Sequence, residues 1–209
     1  FTEINNVKSK YDSYINVKTK IMELIDYIKN RRSIYPKAYS DQIIPRADIK
    51  KILEAGKWAP SHRNTRPWHF IVYEGEGKAK LAEYQADFYK SSNPDFDESK
   101  YEKLKKKPLM CSHVIAICMK RDPKLSVPEI EEIEATACAV QNMHLMASSM
   151  GIGAYWGTGG VTYEKGAKSF FELEENDNLL GFFFLGIPKI TWPKSIEREI
   201  SNHVKWVSK

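Results

Sequence analysis

Arg31, Arg32 and Ser33 put two guanidinium groups and a hydroxyl at consecutive positions. A guanidinium offers paired N–H donors to anionic oxygens, so the triplet suits a phosphate. The same residues also read as a basic helix C-terminus complementing its dipole, and by themselves they leave both readings open. A second group, Pro60, Ser61, His62, Arg63, Asn64 and Arg66, gathers donors in a run stiffened by Pro60 and Pro67. That run has little capacity to fill a core, which points to a ligand-facing loop. A third group brackets the aromatic pair Tyr155 and Trp156 with Gly153, Gly157, Gly159 and Gly160. Bare backbone there suits a flat ligand, and equally suits a core strand with turns at its ends.

Other chemistries lack their residues. Gly75–Lys78, GEGK, has the spacing of neither a phosphate loop nor a dinucleotide fingerprint. Cys111, Cys118 and Cys138 form no CxxC pair, and His113 beside Cys111 makes no metal-ligand pattern. Their place in apolar runs predicts buried, reduced thiols and a cytoplasmic protein. No metal site is expected.

The elements that must position these groups follow from periodicity. Ile21, Leu24, Ile25 and Ile28 share one helix face, which ends at Asn30 just before the arginine pair. A second helix opens at Pro45 and carries Ile49, Ile52 and Leu53. Phe70–Tyr73 reads as a strand, Leu81–Lys90 as a helix, and Ser112–Met119 as a central strand without alternation. From Pro128 the chain reads PEIEEIEATACAVQNMHLMASSMGIGAYWGTGG. Its acidic first turn suits a helix N-terminus, apolar or small residues wrap most of its circumference, and Gly151 ends it, so a buried helix is predicted. Tyr163–Leu173 is predicted helical, Leu179–Leu185 a second buried strand, and Val204–Val207 an edge strand.

With 209 residues, 42% hydrophobic and 12% aromatic, the sequence supports one folded domain over 21–209 after a polar lead-in, 1–20. The polar stretch inside 84–108 has the composition of a lid-like insertion. A net charge of +5 is dispersed, apart from Lys103–Lys107, which a solvated helix face explains as well as a nucleic-acid patch. No stretch of the sequence is apolar enough for a membrane span. Alternating strands and helices place the fold in the α+β class with α/β-type layers.

Four blocks in order, RRSI at Arg31–Ile34, WAPSHRNTRPWHFIV at Trp58–Val72, AVQNMHLMASSMGIGAYWGTGG at Ala139–Gly160 and LGFFFLGIPK at Leu180–Lys189, resemble the FMN-dependent nitroreductase family. The resemblance covers nearly all of 21–209. It implies a mixed, mainly antiparallel sheet flanked by helices, in a domain-sharing homodimer with FMN at the interface. It implies that Arg31, Arg32, Ser33 and Arg198 hold the FMN phosphate and ribityl chain. Pro60, Ser61, His62, Asn64 and Arg66 match a loop reaching in from the partner chain, and Trp156, Gly157 and Thr158 match the segment along the flavin ring. The activity implied is transfer of hydride from NADH or NADPH through FMN to a nitroaromatic, quinone or related small-molecule acceptor. The flavin N5 would carry the chemistry and no side chain a catalytic base role. Arg66 stands where many relatives carry Gln. Reductive dehalogenation or enone reduction on the same fold is the enzymatic alternative, and a basic nucleic-acid-binding module is the remote one.

Overall fold

The computed structural model describes residues 23–208. Two uninterrupted apolar runs set the centre of its sheet. Strand β2, His113–Met119, is buried at every position, and β4, Asn178–Gly186, nearly so. The edges are β1, Trp68–Tyr73, and β3, Gly153–Gly157. The order is β1-β2-β4-β3, all antiparallel, and one parallel bridge joins Ser33 to Ala154.

Successive side chains leave a strand on opposite faces, and this divides the core. Val114, Ala116 and Cys118 meet Phe182, Phe184, Leu81 and Phe171 on one face. Ile115 and Ile117 meet Phe183, Leu185, Ile52, Val140 and Met143 on the other. The first face is covered by α3, Glu76–Ser92, which pairs with α4, Glu98–Leu109. Asp97 caps α4 by accepting from the Ser99 N–H at 2.8 Å. The second face is covered by α2, Arg46–Gly56, packed on α5, Glu129–Ser149. A short α1, Leu24–Asn30, leans on α5.

Strand β4 is not regular. Gly181 has φ +119°, and its pairing with β2 shifts register between Ile117 and Cys118. A Cβ at 181 would lie 2.6 Å from the Gly157 carbonyl oxygen and 2.9 Å from the Trp156 indole nitrogen. Only glycine lets β3 close on β4 here.

Several expectations are corrected. Helix α5 is not buried all round: Ile130, Glu134, Cys138 and Gln141 form an exposed stripe at helical spacing, so Cys138 is exposed while Cys111 and Cys118 are buried. Sheet and α2 cover two sides of a helix, and a third stripe remains. The face of Leu24, Ile25 and Ile28 points outward, at 71%, 48% and 44% exposure. Residues 1–20 and Ile21 lie outside the described residues. Tyr163–Leu173 is a 3-10 helix, Lys165–Phe171, ended by Glu172 in the left-handed region at φ 53°. Val204–Val207 pairs with no strand among the described residues; it follows a 3-10 turn, Ser201–His203, and lies exposed because the tail runs past the end of α1 rather than along a sheet edge. Strand β1 begins at Trp68, two residues earlier than its apolar run suggests.

Burial pushes the Cys111 and Cys118 thiols up to about 12, so neither is a nucleophile near neutrality. Among the described residues no helix is long and apolar enough to cross a membrane, and no three His, Cys, Asp or Glu side chains gather to hold a metal.

Candidate functional site

The end of α1 delivers the arginine pair to β3. Arg31 follows the helix at φ −58°, ψ 129°, which turns the chain extended. Ser33 then bridges Ala154, and the Ile34 N–H donates to the Ala154 carbonyl at 2.9 Å. The tail returns to the same place. The Lys189 N–H donates to the Ala38 carbonyl at 2.9 Å, the Trp192 indole to the Asn30 carbonyl at 2.8 Å, and Arg32 Nε to the Lys194 carbonyl at 3.1 Å.

Arg32 serves both readings of the basic triplet. Its Nη1 donates to the Lys29 carbonyl at 2.8 Å and to the Arg31 carbonyl at 2.6 Å, which closes the helix end. Its Nη2 is buried with no partner, an orphan donor of the kind an anionic oxygen satisfies. Arg31 is held below its ordinary pKa by burial first, then by Arg32 and Arg198, so the three guanidinium groups share one neighbourhood. Among the described residues no carboxylate pairs with any of them. Clustered cations without a counter-ion are relieved by a bound anion, and a phosphate group fits these donors.

Strand β3 leads away from this cluster. From Ala154, beside Ser33, to Thr158 the chain advances about 13 Å at roughly 3.3 Å per residue. Trp156 donates its indole N–H to the Leu180 carbonyl at 2.9 Å, which fixes the ring. A Cβ on Gly157 would meet the Tyr155 ring at 2.9 Å and Lys107 Nζ at 3.3 Å. The absent side chain at 157 thus makes room for the chain's own Tyr155 and Lys107. That ammonium lies 5.0 Å from the Tyr155 ring centroid and 4.2 Å from that of Phe184, and burial lowers its pKa.

The donor-rich loop sits elsewhere. Residues 60–66 precede β1, on the opposite edge of the sheet from β3; three strand spacings make that about 14 Å across. Within the loop, Arg66 Nε donates to Asn64 Oδ1 at 2.8 Å and the Arg66 N–H to Ser61 Oγ at 3.2 Å. Arg63, Asn64 and Arg66 hold φ of 49°, 58° and 50°, a left-handed backbone that costs about 1 kcal/mol or more for each. His62 pairs with Glu131 near the start of α5, whereas Arg31 rests on His144, and α5 rises about 20 Å between those two points. One chain therefore brings Arg31, Arg32, Ser33 and Arg198 together at one end of β3 and Trp156, Gly157 and Thr158 at the other. It does not bring Pro60, Ser61, His62, Asn64 and Arg66 to either.

Three participants escaped the sequence reading. The Lys194 carbonyl carries no side-chain signal. Lys107 closes a lysine run whose sequence reads as a solvated helix face. His144 had a visible signal, a lone polar ring in an apolar helical stretch; it is only 6% exposed and touches both arginines.

Fold and site define an α+β protein with three arginines gathered at the end of its edge strand. The model of the Nitroreductase family matches residues 28–187, and the chain belongs to that family. Among its relatives is a Bacillus subtilis protein named "Putative NAD(P)H nitroreductase YfhC", 33% identical over 79% of this chain and 84% of that protein. An Archaeoglobus fulgidus protein named "Putative NADH dehydrogenase/NAD(P)H nitroreductase" is 34% identical over 80% of this chain and 86% of its own length. Among solved structures, a nitroreductase-like family protein from Bacillus cereus superposes with a TM-score of 0.76 at 23% identity, covering 92% of this chain and all of that one. A nitroreductase with bound FMN from Bacteroides fragilis superposes at 0.65 with 25% identity, covering 90% and 100%.

Proposed function

We propose that this protein is an FMN-dependent NAD(P)H oxidoreductase working as a homodimer, reducing nitroaromatic, quinone or related acceptors in a ping-pong cycle. FMN, when bound, would supply the two-electron hydride chemistry that links the nicotinamide to the acceptor. The chain's own residues bind, orient and shield. Arg31, Arg32, Arg198 and Ser33 hold the phosphate, with the orphan Arg32 Nη2 available to one of its oxygens. The backbone of Trp156, Gly157 and Thr158 aligns the ring, and the α3–α4 pair around 84–108 serves as the lid that excludes water.

The observation that carries this reading is the separation of the two donor sets on opposite sheet edges. A second copy unites them: its Pro60, Ser61, His62, Asn64 and Arg66 complete the site around the first copy's cradle. The exposed apolar residues support that pairing. Leu24, Ile25 and Ile28 on α1, Ile130 on α5, and Ile196 at 85% and Trp206 at 88% in the tail offer surface a single chain leaves wet. FMN relatives and NAD(P)H-named relatives supply the cofactor and donor of the proposal.

The test is purification followed by light scattering and absorbance. A yellow dimer with one flavin per chain, bleached anaerobically by NADH or NADPH and recoloured by a nitroaromatic or a quinone, is the expected result. A flavin-saturated monomer would remove the shared site.

A further inference from the structure

We infer that His144 is a positioning residue for the phosphate end of the site: it sets Arg31 and Arg32 in register with β3. The inference rests on the FMN reading above and adds a residue outside the family blocks' phosphate motif.

His144 sits where three elements meet. It projects from α5, its ring packs edge-on against Phe183 of β4 at 5.4 Å, and it faces the 31–34 segment where that segment bonds to Ala154 of β3. Its Nε2 lies 3.0 Å from the Arg32 carbonyl oxygen, and Arg31 Nη1 lies 3.4 Å from Nδ1 and 3.3 Å from Nε2.

The partners decide the tautomer. A carbonyl only accepts, so Nε2 carries the proton and donates to Arg32. A guanidinium only donates, and Arg31 Nη1, nearly equidistant from the two ring nitrogens, lies against the face of the ring. The ring is neutral in this arrangement, since a second proton would face the Arg31 cation. Burial first, then Arg31, lower its pKa to about 4, against the carbonyls of Arg32 and Ala154, which raise it.

One ring thus fixes both the backbone that carries Arg32 and the side chain of Arg31. No other partner holds the Arg31 guanidinium among the described residues. Without the ring, the Arg32 carbonyl loses its donor and the Arg31 side chain must be ordered at the moment of binding, at a cost to phosphate affinity. The ring-binding backbone at 156–158 lies at the far end of β3 and keeps its own hydrogen bonds.

The experiment compares FMN with riboflavin, the same ring without phosphate, by fluorescence titration of flavin-free wild type, His144→Leu and His144→Gln. Leucine keeps bulk and removes both polar contacts; glutamine restores one donor and one acceptor. Expected is an FMN dissociation constant raised about tenfold in His144→Leu, the equivalent of about 1.4 kcal/mol, with riboflavin unchanged and glutamine recovering most of the loss. His144→Met gives the same comparison if leucine does not fit. The inference is overturned if FMN and riboflavin weaken together, if FMN is unaffected, or if glutamine does no better than leucine. A wild-type protein that fails to prefer FMN over riboflavin would instead overturn the phosphate reading, and the inference with it.

Discussion

The indole N–H of Trp192 donates to the Asn30 carbonyl at 2.8 Å, joining the tail to the last residue of α1. Two residues further on, the Lys194 carbonyl accepts from Arg32 Nε at 3.1 Å. The tail is therefore latched before it reaches Arg198, whose charge is felt by Arg31. Trp192→Phe keeps the ring and deletes the donor. FMN affinity should fall about threefold to tenfold, the range of one hydrogen bond worth roughly 1 kcal/mol, as read by flavin titration.

Replacing both arginines removes the cradle itself. Arg31→Ala with Arg32→Ala should purify folded and nearly colourless, with FMN bound at least about a hundredfold more weakly, because charge-assisted bonds are worth roughly 1.5–3 kcal/mol each. Unchanged flavin occupancy, measured by absorbance against protein concentration, would remove these residues from the site.

Stability should depend on pH through His144. Its unfolded pKa is near 6.5 and its folded value about 4. The unfolded chain therefore binds more protons between those values. The contribution is fully present above about 6.5 and is lost as pH falls toward 4, amounting to at most about 3 kcal/mol. The Arg31 cation facing the ring reinforces that sign, while the Arg32 and Ala154 carbonyls oppose it. Buried His113, with its pKa lowered chiefly by burial, acts in the same direction. Denaturant titrations of flavin-free protein from pH 7 to 4.5 should show a shallower loss in His144→Gln than in wild type.

Gly181→Ala tests the closure of β3 on β4. Its Cβ meets the Gly157 carbonyl at 2.6 Å and the φ of +119° disfavours any side chain. The variant should lose at least about 2 kcal/mol of stability, more than Trp156→Phe, which loses one hydrogen bond worth about 1 kcal/mol. Thermal unfolding of the two variants side by side decides the order.

Arg66→Gln addresses the flavin potential. A cation at the ring's pyrimidine end favours the anionic reduced form, so its removal should lower the two-electron midpoint potential by on the order of 30 mV. In the chain Arg66 Nε is held by Asn64 Oδ1 at 2.8 Å, which aims the group as part of the loop. A potential equal in both proteins would place Arg66 away from the ring.

Much of this was legible in the sequence. The unbroken apolar runs at Ser112–Met119 and Leu179–Leu185 announced two central strands, because only strands buried on both faces dispense with alternation. Arg31, Arg32 and Ser33 could be picked out as candidate anion donors, beside their reading as a basic helix end, because donor chemistry is a property of residue type. What the sequence left undecided were relations between distant positions. Whether Cys138 faces the core depends on which side of α5 its neighbours leave uncovered, and only Glu134 and Gln141 on the same stripe hinted at it among small and apolar residues. Val204–Val207 alternates as a strand does, yet strand formation needs a partner edge, and the Trp192 latch carries the tail away from its own sheet. His144 gains its meaning from Arg31 and Arg32, more than a hundred residues earlier in the chain. The separation of the two donor sets follows from strand order alone, since β1 and β3 become opposite edges only once β2 and β4 pair between them. Local residue types determined what chemistry this protein holds. The three-dimensional packing decided which of those groups meet within one chain and which it keeps on opposite edges of the sheet.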